Sequence, residues 1–438
     1  MRLAVSLLLN VLLAGALGYW LRGQWQRASP SLRRWLLPAL GWRLLLTAIS
    51  SLRPSPDAQL MGKFSRLLTA DFWAQPTAAP ALWQGNQFQA AGESVTFYAW
   101  SNTLYFIKLL ALTNIVTNSK LWLNALYLSV LCFIACWSLV RALAQAFPLA
   151  SVAAARVAFL AWPTVIWWTA GLTKETLLLG AGAGLVSLAL PAIYGAHSSQ
   201  PVRLSKGLAR LVVGIVLAWV MFRMRYFFAL PLLGGLLALA LVRLATRRGW
   251  LRAGWWPQIG GLLVALTLLA GPAIIGGNKL VRIKFLVDEI DRNYHHGLLT
   301  SSGRPHLEYT DWQPTPLGLL RHAPLAAEQV LVRPWLGESR QLFYIGAGLE
   351  NALIIILLLL SVAAIVRRRP GRLPVALVVV LIVYCLLLAA FIGLSTPNLG
   401  TLSRYRAAFL PWLILLLLQN DYARSLLKRL GQWGRVAS

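Results

Sequence analysis

The stretch VALVVVLIVYCLLLAAFIGL, residues 375–394, runs for 20 residues without a charged side chain. A helix of about 20 apolar residues is long enough to cross the hydrocarbon core of a bilayer. Within lipid only a helix or a closed barrel satisfies its own backbone, so this run predicts a transmembrane helix. Ten further apolar runs are predicted to span in the same way: Leu3–Trp20, Trp35–Leu52, Leu121–Leu143, Val152–Thr169, Thr176–Tyr194, Leu211–Phe222, Tyr226–Val242, Ile259–Ile275, Tyr344–Val366 and Ala407–Leu418.

The composition of the whole chain supports this class. Hydrophobic residues make up 58% of the 438 residues, and 20 residues are Trp. No stretch of about 100 residues lacks an apolar run of spanning length, which argues against a separate soluble domain. We therefore predict an all-α fold in which residues 1–438 form one polytopic membrane domain, a bundle of about 11 transmembrane helices.

The charged residues divide the loops into two alternating sets. One set is short and basic, with Asp421 as its single acid, whereas the other holds most of the 13 acids and includes two long loops, 53–120 and 277–343. The positive-inside rule assigns the basic set to the cytoplasm. The N-terminus and the long loops are then predicted to lie outside, and the tail 419–438 inside. The basic set comprises 21–34, 141–156, 195–210, 243–256, 367–373 and this tail.

The net charge of +28 has the same explanation. Basic residues spread over loops that flank a membrane orient the helices and meet anionic lipid headgroups, so we expect membrane lipids as partners and no nucleic acid. Cys132, Cys136 and Cys385 fall within predicted spans and lack metal-ligand spacing, which favours buried thiols. Nor is there a phosphate-binding glycine loop, a Ser-His-Asp arrangement or a zinc motif.

The first 20 residues have an alternative interpretation as a secretory signal, because Arg2 precedes an apolar core with small residues at 14–16. Cleavage would leave the cluster Arg22, Arg27, Arg33 and Arg34 on the outer side, which contradicts the alternation of charge. We therefore expect the first helix to be retained.

An adjacent pair of opposite charges, Lys174 and Glu175, separates two apolar runs on the predicted outer side. Thr173 is placed to cap the following helix, and Glu175 in its first turn complements the positive end of the helix dipole. A capped helix with a lysine that reaches the interface explains the pair without any ligand. The other residues predicted on this side favour a second interpretation.

Three more turns on the predicted outer side carry charged residues. Asp57 follows a Pro-rich turn directly after the second span, with Asp71 fourteen residues further on. Arg404 and Arg406 flank Tyr405 before the last span, and Arg223 and Arg225 lie between two others. Guanidinium and ammonium groups bind a phosphate and stabilise it as a leaving group, while a carboxylate deprotonates an acceptor hydroxyl. This combination fits a lipid-linked sugar phosphate.

The same residues carry a resemblance to a family. Pro163, the segment Trp167–Gly171 and the pair Lys174-Glu175, together with Asp57 and the SRYR of 403–406, resemble multi-spanning proteins of bacterial surface-polysaccharide loci, which are similar to the GT-C glycosyltransferase superfamily. Between Arg43 and Trp412 the resemblance lies in the order and spacing of segments. It implies transfer of a sugar from a polyprenyl-phosphate donor to a glycan or lipid acceptor at the periplasmic face of the inner membrane.

The resemblance also implies roles for particular residues. Asp57 matches the catalytic acid of the first outer loop, and Lys174 with Arg404 or Arg406 matches the cations that bind the donor phosphate; Arg223 and Arg225 are added to this phosphate-binding set, with Glu175 and Tyr405 in support. The family often has paired acids, whereas Pro56 and Ala58 flank Asp57. Whether the protein uses a divalent cation therefore stays open, although a monophosphate donor favours catalysis without a metal.

The two long outer loops are predicted to meet the acceptor. In the first, a helix around Lys108 is expected to lie in the membrane interface, either as a wall of the acceptor groove or as an anchor. In the second, the vicinal histidines have no metal-ligand spacing, and the mixture of aromatic, acidic and imidazole side chains fits contacts with sugars. A packed cap without a ligand is equally compatible. The predicted sugar contacts are Asp71, Asp288, Asp291, His295 and His296.

Arg43 is the one basic residue well inside a predicted span. A charge at this depth costs a few kcal/mol, so it is expected to face a polar partner, for which we propose an acid near the outer face. Two alternative functions remain for the whole chain. One is a polysaccharide polymerase that acts on lipid-pyrophosphate oligosaccharides, and the other is a transporter or flippase, which requires ionisable residues near the middle of the membrane.

Overall fold

The computed structural model describes residues 2–90, 93–97, 101–195, 204–276 and 283–436. These residues are mostly helical, which confirms the all-α class. Parts of three predicted loops lie outside the described residues, namely 91–92 with 98–100, 196–203 and 277–282, as do residues 437–438 of the predicted tail. The helices are α1 (Arg2–Arg27), α2 (Pro30–Leu52), α3 (Pro56–Ala74), α4 (Ala79–Gln84), α5 (Asn102–Thr117), α6 (Leu121–Ala146), α7 (Val152–Arg156), α8 (Pro163–Thr169), α9 (Lys174–Tyr194), α10 (Leu204–Met224), α11 (Tyr226–Arg247), α12 (Trp255–Gly276), α13 (Ile283–Leu299), α14 (Pro316–Val332), α15 (Leu342–Val366), α16 (Val375–Ser395), α17 (Leu399–Arg406), α18 (Leu410–Leu417) and α19 (Asp421–Val436).

Eight of the described helices are long and apolar enough to cross a membrane, so the chain is a multi-pass helical membrane protein. They are α1, α2, α6, α9, α10, α11, α15 and α16. The predicted count of about 11 is not confirmed.

Two predicted spans differ from the structure for identifiable reasons. The run 152–169 bends by 44° between α7, with its π-helical extension to Ala161, and α8, which begins at Pro163; counted as one span, this pair gives a ninth. Proline lacks the N–H that would continue the ladder of helical hydrogen bonds. The run 407–418 is interrupted before Pro411, which leaves α18 with only eight residues. By contrast, the predicted span Ile259–Ile275 lies within α12, a helix of 22 residues.

The described chain divides into two compact units. Unit 1 comprises Met1–Arg141, Ile166–Leu185 and Leu211–Tyr226, and unit 2 comprises Ala142–Val165, Val186–Arg210 and Phe227–Ser438.

In unit 1 the first long loop is largely structured. It contains α3, α4, a two-stranded antiparallel hairpin formed by β1 (Gln87–Ala90) and β2 (Glu93–Thr96), and α5. The helix predicted around Lys108 is therefore confirmed as α5, which packs against α3. Apolar residues occur on all sides of α5, and its residues from Leu104 to Ala111 are buried except Leu109, which is half-buried. A helix of this kind belongs in a protein interior.

A buried polar network fixes the packing of α5 on α3 and α6. The Asn114 amide donates to Thr69 Oγ1 over 3.1 Å and to Ser65 Oγ over 3.2 Å. The Asn124 amide in turn donates to Asn114 Oδ1 over 2.6 Å. Because buried amides are costly without partners, this network specifies one register between the helices.

In unit 2 the second long loop contains α13 and α14, and α14 packs closely along α16. A Cβ atom on Gly393 would lie 2.5 Å from the carbonyl oxygen of Ala326, so glycine permits this close approach. The Tyr309 hydroxyl donates to the Gly393 carbonyl over 3.0 Å and connects the loop between α13 and α14 to α16. Tyr309 also stacks on Trp312 at 5.8 Å between ring centroids, within an aromatic cluster.

Candidate functional site

The turn that precedes α9 packs against the end of α2, within unit 1. The Ser50 hydroxyl donates to the carbonyl of Ala170 over 2.8 Å. Gly171 has φ +154°, and a Cβ atom there would lie 2.8 Å from Ser50 Oγ, so a side chain is excluded. The Thr173 hydroxyl accepts from the amide of Thr176 over 3.3 Å, which confirms the predicted cap. These contacts fix the start of α9.

Arg43 donates hydrogen bonds to Thr169, the residue immediately before this turn. Its Nη2 donates to the Thr169 carbonyl over 2.7 Å and to the Thr169 hydroxyl over 2.8 Å, and its Nε donates to Ser129 Oγ over 3.2 Å. The prediction that Arg43 pairs with an acid is wrong within the described chain, because its hydrogen-bond partners are neutral oxygens. A guanidinium has five donors and is satisfied by several carbonyl and hydroxyl oxygens as well as by one carboxylate. Arg43 is thus a positioning residue for the turn.

Lys174 reaches from the start of α9 to the start of α5. Its Nζ donates to Asn102 Oδ1 over 2.6 Å and to Thr103 Oγ1 over 2.8 Å. The Ser101 hydroxyl caps the same end of α5 by accepting from the amide of Leu104 over 3.3 Å. The half-buried ammonium therefore lies beside a helix N-terminus, where free N–H groups and the helix dipole already favour a negative charge.

Arg223 brings a second cation to α5. Its guanidinium lies over the Tyr105 ring, 5.1 Å from the centroid, and it also acts electrostatically on Lys108 one turn further along. Burial lowers the pKa of Lys108, and the Arg223 charge lowers it further. Burial raises the pKa of Tyr105, which keeps its hydroxyl protonated. Positions 102 to 108 span about 9 Å of helix, so three cations converge on the first two turns of α5.

Glu175 and Arg225 form an ion pair at 3.4 Å, with only 2% and 6% of their side chains exposed. Glu175 thus compensates Arg225 and lies in the first turn of α9 as predicted. The pair joins the start of α9 to the junction between α10 and α11. Among these five ionisable side chains there are four cations and one carboxylate, so the cluster has a net positive charge. We name Lys108, Lys174, Glu175, Arg223 and Arg225 the α5 cluster.

The two predicted acids of unit 1 lie on α3. Asp57 is exposed in its first turn, which the Ser55 hydroxyl caps by accepting from Ala58 N over 3.2 Å. Asp71 is exposed near the other end. Fourteen residues of helix separate them by roughly 20 Å, so they do not form one carboxylate pair. Asp57 follows Ser50, which contacts the turn before α9, by only seven residues.

The remaining predicted cations lie in unit 2. The Arg404 guanidinium lies over the ring of Tyr405, 5.3 Å from its centroid, at the half-buried end of α17. Arg406 is completely buried, and its Nη1 donates to Asn351 Oδ1 over 2.7 Å and to the Val330 carbonyl over 3.2 Å. Its Nε and Nη2 have no hydrogen-bond acceptor among the described residues. Arg406 therefore occupies the protein interior and retains two donors.

A carboxylate that the sequence analysis did not select lies near Arg406 on α15. Glu350 Oε1 accepts from Trp162 Nε1 over 2.7 Å and from Thr164 Oγ1 over 2.6 Å, and the Glu350 charge acts on Arg406. The signal was a single acid in an otherwise apolar spanning helix, a position that marks a functional residue by default. Asn102, Thr103 and Tyr105 were also missed, and no spacing pattern connects them with Lys174 or Arg223.

The predicted sugar contacts of the second long loop lie on α13. Asp291 accepts from the indole N–H of Trp312 over 2.8 Å, and His295 Nδ1 lies 3.1 Å from the same carboxylate oxygen. Asp288 and His296 are exposed. Within the part of the chain that the structure describes, no three His, Cys, Asp or Glu side chains are grouped to hold a metal ion. These residues therefore offer no donor set for the divalent cation considered from the sequence.

Comparisons of the chain with family models, with curated proteins and with solved structures give no match. Fold and site together define the class, a multi-pass helical membrane protein with a cationic cluster at a helix N-terminus. Its function is inferred from this chemistry.

Proposed function

We propose that the protein is a membrane glycosyltransferase that takes a sugar from a polyprenyl-phosphate donor at the outer, periplasmic face of a bacterial inner membrane and serves cell-surface glycan assembly. The observation that carries the proposal is the convergence of Lys174, Arg223 and Lys108 on the first two turns of α5. Three cations around a helix N-terminus match the charge and the acceptor atoms of a phosphate.

The α5 cluster supplies what the departure of a lipid phosphate requires. As the bond between the sugar and the phosphate oxygen breaks, negative charge grows on the phosphate, and fixed cations stabilise this charge more than that of the bound donor. Lys174 contributes a compact charge, whereas Arg223 presents a planar fork of donors from its place on the Tyr105 ring. Arg225 is held by Glu175 and has a supporting role.

Asp57 is the proposed general base for the acceptor hydroxyl. It is exposed and immediately follows the turn after α2, whose end contacts the segment before Lys174. A carboxylate accepts the proton of a hydroxyl as that oxygen attacks the anomeric carbon. The exposed Asp57 side chain is thus accessible to a glycan or lipid acceptor that approaches from the surface.

Binding and turnover of undecaprenyl-phosphate sugars by purified protein in nanodiscs test the proposal. The wild type is compared with Lys174→Met, Asp57→Asn and, as a control, Lys63→Met, which removes an exposed lysine of α3. We expect Lys174→Met to bind donor at least about tenfold more weakly, in line with the loss of a charge-assisted hydrogen bond. Asp57→Asn should bind donor normally and lose transfer. Equal binding by Lys174→Met and Lys63→Met would refute the assigned phosphate site.

A second candidate function, a transporter or flippase, is favoured by Glu350 and Arg406. Glu350 lies on α15, a helix that is long and apolar enough to span, and Arg406 is completely buried beside it. Ionisable residues at such positions typically line the pathway of a proton or a polar substrate. Lipid translocation without consumption of the donor, abolished by Glu350→Gln, would support this candidate over sugar transfer.

A further inference from the structure

A cavity of about 320 Å³ opens in unit 2, apart from the residues discussed so far. Its volume is at the lower end of the range of about 300 to 1,000 Å³ that is usual for small-molecule sites. Five helices contribute their ends to its wall: the last turns of α6, α9 and α11 and the first turns of α12 and α16. All of them border the short basic loops of the sequence.

A cation is fixed in the wall of this cavity. The Arg243 guanidinium lies over the Tyr194 ring, 5.3 Å from its centroid, and Tyr194 packs edge-on against Phe147 at 4.9 Å. Arg243 Nε is buried without a hydrogen-bond acceptor among the described residues, so it retains a donor for a ligand. Within the described part of the chain no Asp or Glu lines the cavity, which therefore keeps the positive charge of Arg243.

Two helix N-termini add to this preference for an anion. Trp255 and Gln258 line the cavity from the first turn of α12, and Val375 and Ala376 line it from the first turn of α16. The first N–H groups of a helix have no partner within it and carry the positive end of its dipole. The Nε donor of Arg243, which has no acceptor among the described residues, and the two helix N-termini point to the same ligand chemistry, a phosphate group.

The surroundings of the cavity are typical of a membrane interface. Trp250, Trp255 and Trp256 are 72%, 63% and 82% exposed, and exposed tryptophans concentrate at the level of lipid headgroups. On α16, Ile382 and Leu386 are exposed on the same helical face as Val375, which lines the cavity, and form an apolar track. A ligand with a phosphate at one end and acyl chains at the other satisfies both surfaces.

We propose that this cavity binds the headgroup of an anionic glycerophospholipid, with the phosphate on Arg243 and the first turns of α12 and α16, and with the acyl chains along α16. Basic pockets between membrane helices at a positively charged end are a known form of headgroup recognition. The site is independent of the α5 cluster and of the proposed sugar transfer.

Native mass spectrometry of the full-length protein in a neutral detergent tests the proposal. The protein is titrated with dioctanoyl phosphatidylglycerol and, separately, with dioctanoyl phosphatidylcholine and inorganic phosphate. We expect one phosphatidylglycerol to bind the wild type most tightly. Arg243→Gln should weaken this binding about tenfold, since one charge-assisted contact is lost. The control Arg252→Gln makes the same change of charge at an exposed residue outside the cavity and should bind as the wild type does.

A second variant covers the case in which Arg243→Gln does not fold. Gln258→Leu keeps the cation but replaces a polar part of the wall, and a smaller loss in the same direction is expected. Equal affinity of Arg243→Gln and Arg252→Gln would overturn the proposal, as would unchanged binding by Gln258→Leu if it is the only variant that can be purified. Full displacement of the lipid by millimolar inorganic phosphate would instead assign the cavity to a free anion and would also overturn it.

Discussion

Glu175 and Arg225 lie 3.4 Å apart with both side chains almost completely removed from solvent. Removing one partner of a buried ion pair is more destabilising than removing both, because an uncompensated charge remains in a medium of low dielectric constant. The pair thus ties the start of α9 to the end of α10 and keeps the surplus cations of the α5 cluster in place.

The first prediction concerns this pair. Glu175→Gln is expected to lower the free energy of unfolding by about 3 to 5 kcal/mol, because Arg225 loses its carboxylate. The double variant Glu175→Gln/Arg225→Met should recover a large part of this loss. Thermal unfolding in detergent, followed by intrinsic tryptophan fluorescence, measures both. A double variant less stable than Glu175→Gln would show that Arg225 is held mainly by other groups.

Lys108 gives a prediction about pH. Burial and the Arg223 charge place its pKa below the value of an unfolded chain, so its charged form is disfavoured in the folded state. The resulting cost is fully present below the folded-state pKa and is relieved as pH rises through that value toward the unfolded one. Lys108→Met should therefore stabilise the ligand-free protein at pH 7, with a smaller gain at alkaline pH.

The same substitution has the opposite effect on ligand binding. Since Lys108 belongs to the α5 cluster, Lys108→Met should weaken the binding of a polyprenyl-phosphate donor while it raises the melting temperature of the free protein. Lys63→Met, at an exposed position of α3, should change neither quantity. A variant that is more stable and binds normally would remove Lys108 from the proposed site.

The turn before α9 gives a third prediction. Gly171→Ala introduces a side chain at φ +154° and a Cβ atom 2.8 Å from Ser50 Oγ. We expect a loss of at least about 1 to 3 kcal/mol in the free energy of unfolding from backbone strain, together with weaker donor binding because Lys174 shifts. Adding Ser50→Ala should restore only the steric part. Unfolding in detergent separates the two terms, and complete recovery in the double variant would argue against backbone strain.

The sequence predicted the apolar helices well where composition alone decides them. The run Val375–Leu394 corresponds to α16 almost residue for residue, because an uninterrupted apolar stretch has only one stable form in lipid. Breaks were harder to see. Pro163 and Pro411 carried the signal for the interruptions of two predicted spans, but a hydropathy pattern gives more weight to apolar length than to one missing N–H.

The candidate site was predictable in its charges and not in its contacts. Thr173, Lys174 and Glu175 are local signals, because a helix cap and a first-turn acid follow from neighbouring residues. The partners of Lys174 on α5 lie about 70 residues away in sequence, and only tertiary packing brings them together. Glu350 was visible as a single acid in an apolar run, but its contact with Trp162 required the structure.

The last prediction separates the two candidate functions. Glu350 accepts two hydrogen bonds through Oε1, from Trp162 and Thr164, and its charge acts on the buried Arg406. Glu350→Gln keeps the shape of the side chain but removes its charge, and Arg406→Gln removes the charge of Arg406. If sugar transfer depends on the α5 cluster, both variants should retain the chemical step in detergent, where no membrane has to be crossed, with transfer reduced only as far as stability is reduced.

A flippase gives the reverse result. Reconstituted in vesicles, Glu350→Gln and Arg406→Gln should then abolish movement of a fluorescent polyprenyl-phosphate lipid between leaflets, while Lys174→Met changes only its binding. Each variant needs the double substitution Glu350→Gln/Arg406→Gln beside it, because a single change leaves the remaining charge without its counterpart and destabilises by itself, most of all where the buried Arg406 remains. Translocation restored in the double variant would show that the pair is structural, whereas continued loss in a stable double variant would place Glu350 and Arg406 on the transport pathway.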